Sequence, residues 1–119
     1  MPDAAWKAAE RRICAAFGGA RRGPDGKGQS DCVDTDEAIQ IKYSKRGVPE
    51  GRWIDDAKRH GRNEKKPWVL VVAQPGQHVE STLSVVSTAY LLELKMKADT
   101  RNDYASLWDR LGTSKEPRT

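Results

Sequence analysis

Four side chains in the first 42 residues combine types that could do chemistry together. Glu10 lies four residues after Trp6, three before Ile13 and four before Cys14, inside what is otherwise an apolar helical stripe. A carboxylate on such a stripe is costly unless a cation or a metal ion answers it. Asp31 opens a short extended run, and Gln40-Ile41-Lys42 follows on a second one, with Gln40 and Lys42 on the face opposite Ile39, Ile41 and Tyr43. Taken singly, each has an ordinary explanation: a stripe-edge residue or ion pair for Glu10, a loop boundary for Asp31, a solvated strand face for Gln40 and Lys42. Together they are the ingredients of a site that hydrolyses phosphodiesters around a hard cation. Oxygen donors suit Mg²⁺, which binds through one or two carboxylates and keeps several waters. A neighbouring lysine can orient the attacking water and stabilise charge developing on phosphorus.

The elements that must position these residues follow from periodicity and breakers. Residues 3–17 predict a helix, with Trp6, Ile13, Cys14 and Phe17 on one stripe and Gly18-Gly19 ending it. Residues 18–30 read as a Gly-rich basic loop. Strands are expected over about 31–34 and 38–43, joined by the turn Asp34-Thr35-Asp36-Glu37. Pro49 and Glu50 open a second helix in which Trp53, Ile54 and Ala57 share a face and Gly61 is the C-cap. Trp68–Ala73 is a continuous apolar run, the pattern of a strand buried on both faces. Gln74-Pro75-Gly76 turns the chain into a strand over 82–86, and Ser87 or Thr88 caps a further helix. Tyr104, Leu107, Trp108 and Leu111 recur at helical spacing before a frayed tail. The fold class is therefore α/β, a small mixed β-sheet flanked by helices, with one domain over 1–112 and a C-terminal tail over 113–119.

Composition bounds what such a chain can be. With 119 residues, 37% hydrophobic and 32% charged, the core is small, so a homodimer that buries further apolar surface is expected. No run of about 18 apolar residues is present to span a membrane, and the first residues lack the apolar segment of an export signal, so an intracellular, cytoplasmic location is expected. On that ground Cys14 and Cys32 read as buried free thiols rather than a disulfide. The separations 14–32 and 60–78 leave no close Cys or His pair for zinc, and His60 and His78 read as exposed loop residues.

The net charge of +4 is uneven, since Lys7, Arg11, Arg12, Arg21, Arg22 and Lys27 outnumber Asp3, Glu10 and Asp25 in the first 30 residues. That imbalance fits a polyanionic partner such as nucleic acid, or simply a solvated face. Gly23–Ser30 is not a nucleotide-binding P-loop, because Arg21 and Gly28 stand where that motif needs Gly and Ser or Thr. Lys45 and Arg46 leave the Lys42 strand directly and are candidate DNA contacts. Lys58, Arg59, Arg62, Lys65 and Lys66 form a second basic cluster with two readings, a further DNA contact or, since Asp55, Asp56 and Glu64 interleave it, a solvated helix end.

Helical Glu10, then Ser30-Asp31, then Gln40-x-Lys42, followed by helix, strand, strand and helix, resembles the PD-(D/E)XK nuclease superfamily. Within it the chain is most similar to the small Holliday junction resolvases of archaea and their phage-encoded relatives, over about residues 4–97. The resemblance implies a restriction-endonuclease-like core and a Mg²⁺-dependent endonuclease, with Mn²⁺ able to substitute, that acts as a homodimer on branched DNA. It implies Asp31 as the metal-bridging acid, Lys42 as the catalytic lysine and Glu10 as the helical acid, with Gln40 completing the metal and catalytic set. It also implies DNA contacts from Arg11, Ser30, Arg21, Arg22 and Lys27. Gln40 departs from the usual Glu or Asp and lacks their charge; Asp34 or Glu37 could compensate, and Pro24-Asp25 spells the motif's first letters too early. Two other readings stay open: a repair- or restriction-type nuclease of the same fold, and a DNA-binding module whose nuclease site has decayed.

Overall fold

The computed structural model describes residues 2–23 and 28–100. The first helix, α1, spans Pro2–Ala16 and buries Ala9, Ile13 and Cys14 on the expected stripe. It ends where the amide of Gly19 reaches back to the carbonyl of Cys14 at 2.9 Å. Gly19 is required there, because a Cβ would collide with the backbone carbonyl of Val33.

Residues 18–30 are not all loop. Ala20–Arg21 forms a two-residue strand, β1, paired antiparallel with β2, Cys32–Val33. The second sheet has the order β3-β4-β5, with β3 at Ala38–Tyr43, β4 at Trp68–Ala73 and β5 at Leu83–Val86. The β3–β4 pair is parallel, with Ala38 opposite Trp68, Gln40 opposite Leu70 and Lys42 opposite Val72; β4–β5 is antiparallel. A parallel pair needs a crossover, and α2, Gly51–Glu64, supplies it. The result is a small α/β fold with a mixed three-stranded sheet and a separate two-stranded one, flanked by helices.

β4 carries the core. Val69, Leu70, Val71 and Val72 are each at most 1% exposed, and each such burial is worth about 1.5–3 kcal/mol relative to exposure. Leu70 and Val72 pack with Ala57 of α2, and Trp53, Ile54, Trp68 and Val85 close around them. Because paired residues of a parallel register share a face, Gln40 and Lys42 lie on this same α2-facing side.

Several expectations are corrected. Gly61 is not a cap: α2 continues to Glu64, Lys65 adopts the left-handed cap at φ 57°, and Gly61 is buried within the helix. Its place is set by packing, because a Cβ would stand 2.9 Å from the Lys66 carbonyl. His60 is not an exposed loop residue but a buried residue of α2, 5% exposed. Cys14 and Cys32 are buried, yet they are not free thiols: a disulfide joins them, with Cα atoms 5.4 Å apart.

The chain divides into two units, residues 1–87 and 88–119. The second begins with α3, Thr88–Thr100, on which Leu91, Leu92, Leu94 and Met96 are exposed. The expected helical segment at 104–111 and the tail at 113–119 lie outside the described residues. Among the described residues no helix is long and apolar enough to cross a membrane.

Candidate functional site

Three elements converge on one cleft of about 320 Å³. It is lined by Trp6 and Glu10 of α1, by Arg21 of β1, by Arg22, Ser30 and Asp31, and by Gln40, Ile41 and Lys42 of β3. The four residues singled out by their types and spacing are thus brought together.

Asp31 is placed by the edge of β3. Its amide donates to the Ile39 carbonyl at 2.8 Å, and its Oδ2 accepts the Ile41 amide at 2.7 Å, so it grips the strand on both sides of Gln40. The Asp31 carbonyl in turn accepts the Arg22 amide at 2.7 Å. Burial pushes the Asp31 carboxyl up from 3.8 to about 6. The Ile41 amide opposes that rise, nearby Glu10 adds to it, and Lys42 and Arg21 oppose it.

Glu10 is buried, as its position inside the stripe requires, and its Oε1 accepts from Arg21 Nε at 2.7 Å. The Arg21 guanidinium also stacks 5.4 Å from the Trp6 ring centroid. Gln40 contributes a buried Oε1 with no hydrogen-bond partner among the described residues. An orphaned acceptor of this kind costs free energy unless a ligand answers it. Lys42 reaches along the Trp53 ring, its Nζ 6.0 Å from the centroid.

The donors that could hold a metal are therefore all hard oxygens: Asp31, the Gln40 amide and, if Arg21 releases it, Glu10. They match an oxygen-seeking divalent cation, although among the described residues no three Asp, Glu, His or Cys side chains gather in a metal-binding group. Neither acid that could compensate for Gln40 lines the cleft. Asp34 is exposed in a left-handed turn at φ 62°, and the Glu37 carbonyl accepts from Thr35 Oγ1 at 2.6 Å.

No family model, curated protein or solved structure matches the chain.

The remaining sequence candidates divide. Ser30 borders the cleft but is 1% exposed, and both its amide and its hydroxyl donate to the Glu64 carboxylate, at 2.8 and 2.7 Å. Those bonds make Ser30 a structural post between the cleft and the last turn of α2. Arg22 is equally committed: its guanidinium donates to the carbonyls of Ser30 and Cys32 and to Gln29 Oε1, and it lies 3.7 Å from Glu64. Arg11 is exposed and does not line the cleft. Lys45 and Arg46 are exposed beyond β3, and Arg46 borders a separate pocket of about 200 Å³. Lys27 and Pro24-Asp25 lie outside the described residues.

Two contributors escaped the sequence reading. Trp6 had the signal of a core residue and is also a wall of the cleft. Glu64 had no local signal, because its partner Ser30 is 34 residues away.

Proposed function

We propose that the chain is a metal-dependent, structure-selective DNA endonuclease, a Holliday junction resolvase acting as a homodimer. The observation that carries this reading is the convergence of Glu10, Asp31, Gln40 and Lys42 on one cleft, with the Gln40 oxygen buried and unanswered. Asp31 and Gln40, with Glu10 once freed from Arg21, would hold Mg²⁺ or Mn²⁺. The cation, when bound, supplies Lewis-acid stabilisation of charge on the phosphoryl oxygens. Lys42 orients the attacking water and adds positive charge beside the phosphorus. Arg21 exchanges its hold on Glu10 for a backbone phosphate, so substrate entry and release of the acid are one event. The exposed leucines of α3 and the small core favour a second copy.

The test is a synthetic four-way junction beside a matched linear duplex, with Mg²⁺, Mn²⁺ or EDTA. Paired nicks near the branch point are expected with either metal and not in EDTA, and they should vanish in Lys42→Ala. Equal cutting of the linear duplex would point instead to a repair- or restriction-type nuclease.

A second reading draws on the Arg21–Glu10 ion pair at 2.7 Å and the missing charge at Gln40. Both weaken a metal site, and a DNA-binding module with a decayed nuclease centre would combine them. It would bind DNA with a strong salt dependence and never cut it; Gln40→Glu would then restore cutting if the missing charge is the cause.

A further inference from the structure

Two of the three acids that interleave the second basic cluster in sequence, Asp56 and Glu64, are held by partners that do not line the cleft at the end of α2. Asp56 pairs with Arg59 at 3.1 Å. Glu64 turns its carboxylate to Ser30 and Arg22. What they leave is an open cleft of about 480 Å³ between the last turns of α2 and the start of β4, walled by Lys58, Arg62, Lys65, Lys66 and Trp68. Among the described residues none of its lining side chains is acidic.

Lys58, Arg62 and Lys65 recur at i, i+4 and i+7, the spacing of one helical stripe. Lys58 Nζ sits 5.8 Å from the Trp68 ring centroid, and Lys66 Nζ is anchored on the Thr35 carbonyl at 2.9 Å. The helix dipole accounts for cations within the last turn only; Lys58, six residues before Glu64, stands beyond that reach. Lys65 holds its place in a left-handed conformation that Gly or Asn adopts at lower cost. Four cations around one cleft repel one another, and a chain of anions relieves that repulsion.

We propose that this cleft is a second binding site for the phosphodiester backbone of a nucleic-acid strand. The inference rests on the nuclease reading for the identity of the polyanion. The two clefts are neighbours through the sheet and through α2. Trp68 is paired with Ala38, two residues and about 7 Å along β3 from Gln40, and Glu64 ties the last turn of α2 to Ser30 at the catalytic cleft. A strand leaving the catalytic cleft reaches the basic one within a few nucleotides. The cleft is open and its cations are mostly exposed, so it tracks a backbone without reading bases.

The experiment is fluorescence anisotropy of a labelled four-way junction and a linear duplex in EDTA, titrated from 50 to 300 mM salt. The variants are Arg62→Glu/Lys65→Glu, its neutral counterpart Arg62→Gln/Lys65→Gln, Asp31→Asn, and a control with the same charge change on α3, Lys95→Glu/Lys97→Glu. The Gln variant removes two contacts without adding repulsion and guards against a folding defect, which circular dichroism also reads. Both cleft variants should weaken binding at least tenfold at 150 mM salt and flatten the slope of log K against log salt by about 2. The control should change affinity less than threefold. Cleft variants that match the control overturn the proposal, as does wild-type protein that binds no DNA. If the cleft variants lose DNA but no metal supports cutting, the cleft stands and the nuclease reading fails. If cutting needs Asp31 and Lys42 while the cleft variants bind normally, the nuclease reading stands and the cleft fails.

Discussion

Asp31→Asn should make the protein more stable at neutral pH and, on the proposed nuclease reading, abolish cutting. The carboxyl of Asp31 is pushed from 3.8 to about 6, with burial the largest cause. Because the folded value is raised, the ionised group opposes folding: the native state is favoured below pH 3.8, and that advantage is lost as pH rises through about 6. A displacement of that size, at about 1.4 kcal/mol per pH unit, sets an upper limit of about 3 kcal/mol at pH 7.5. It falls to about half at pH 5 and below about 1 kcal/mol at pH 4. Asparagine keeps an oxygen for the Ile41 amide, now 2.7 Å from Oδ2, and removes the like charge facing Glu10. Burying its own amide offsets part of the gain, so about 1–2 kcal/mol of net stabilisation is expected at pH 7.5.

The assay is urea unfolding of both proteins in EDTA at pH 7.5, 5 and 4. The gap between them should narrow as pH falls. Adding Mg²⁺ at pH 7.5 should stabilise wild type more than the variant, since a ligand stabilises only the state that binds it. A variant that is less stable than wild type at pH 7.5, with a gap independent of pH, would refute the reasoning: Asp31 would then be a strand-edge clamp whose hydrogen bond outweighs its buried charge.

Four further outcomes follow from the same geometry. Cys14→Ser/Cys32→Ser, opening a loop of 18 residues, should cost about 3 kcal/mol and lower the melting temperature by roughly 12 °C or more, and wild type in strong reductant should approach the variant. Gly61→Ala should destabilise by about 1–2 kcal/mol in thermal unfolding, because the approach to Lys66 and Trp68 outweighs the helix propensity of alanine. Burial, and Arg59 beside it, hold His60 below 6.5, so the unfolded chain takes up the proton first; in an Asp31→Asn background stability should fall as pH drops below 6.5, and His60→Gln should flatten that fall in urea titrations. Arg21→Met should destabilise by about 3 kcal/mol by stranding the Glu10 carboxylate, and Glu10→Leu/Arg21→Met should recover most of that in unfolding assays without restoring the cutting expected on the proposed nuclease reading.

How much of this was legible depends on how local each signal is. β4 was readable to the residue, because Pro67 and Gln74-Pro75-Gly76 bound a run whose every member is apolar. β3 and α1 were readable from their periods. β1 was not, since two residues in a glycine-rich stretch carry no period and owe their structure to pairing with β2. Gly61 was misread because glycine stops helices often enough to look like a cap, whereas its reason is a neighbour across the turn. The disulfide depended on α1 and β2 meeting, which the spacing 14–32 does not state. Glu64 looked like one more solvated charge because its partner lies on the far side of two elements.

The candidate site was legible for the opposite reason: its residues break local rules. Glu10 spoils an apolar stripe, and Gln40 and Lys42 put polar groups on the strand face that Leu70 and Val72 share with α2. A fold of this size has few ways to tolerate such violations, and it answers most of them. Arg21 neutralises Glu10, the Ile41 amide meets Asp31, and Trp53 shelters Lys42. Two are answered incompletely: the Asp31 carboxylate, whose burial outweighs the Ile41 amide, Lys42 and Arg21, and the Gln40 oxygen, which has no partner among the described residues; they belong to residues on either side of one strand edge. A purely structural cluster gains nothing by keeping a raised carboxylate beside an orphaned acceptor, because substituting either would relieve the cost. An oxygen-seeking cation would satisfy both at once, and for that reason this pair, more than the gathering of charges around it, is what supports the proposed metal-dependent chemistry.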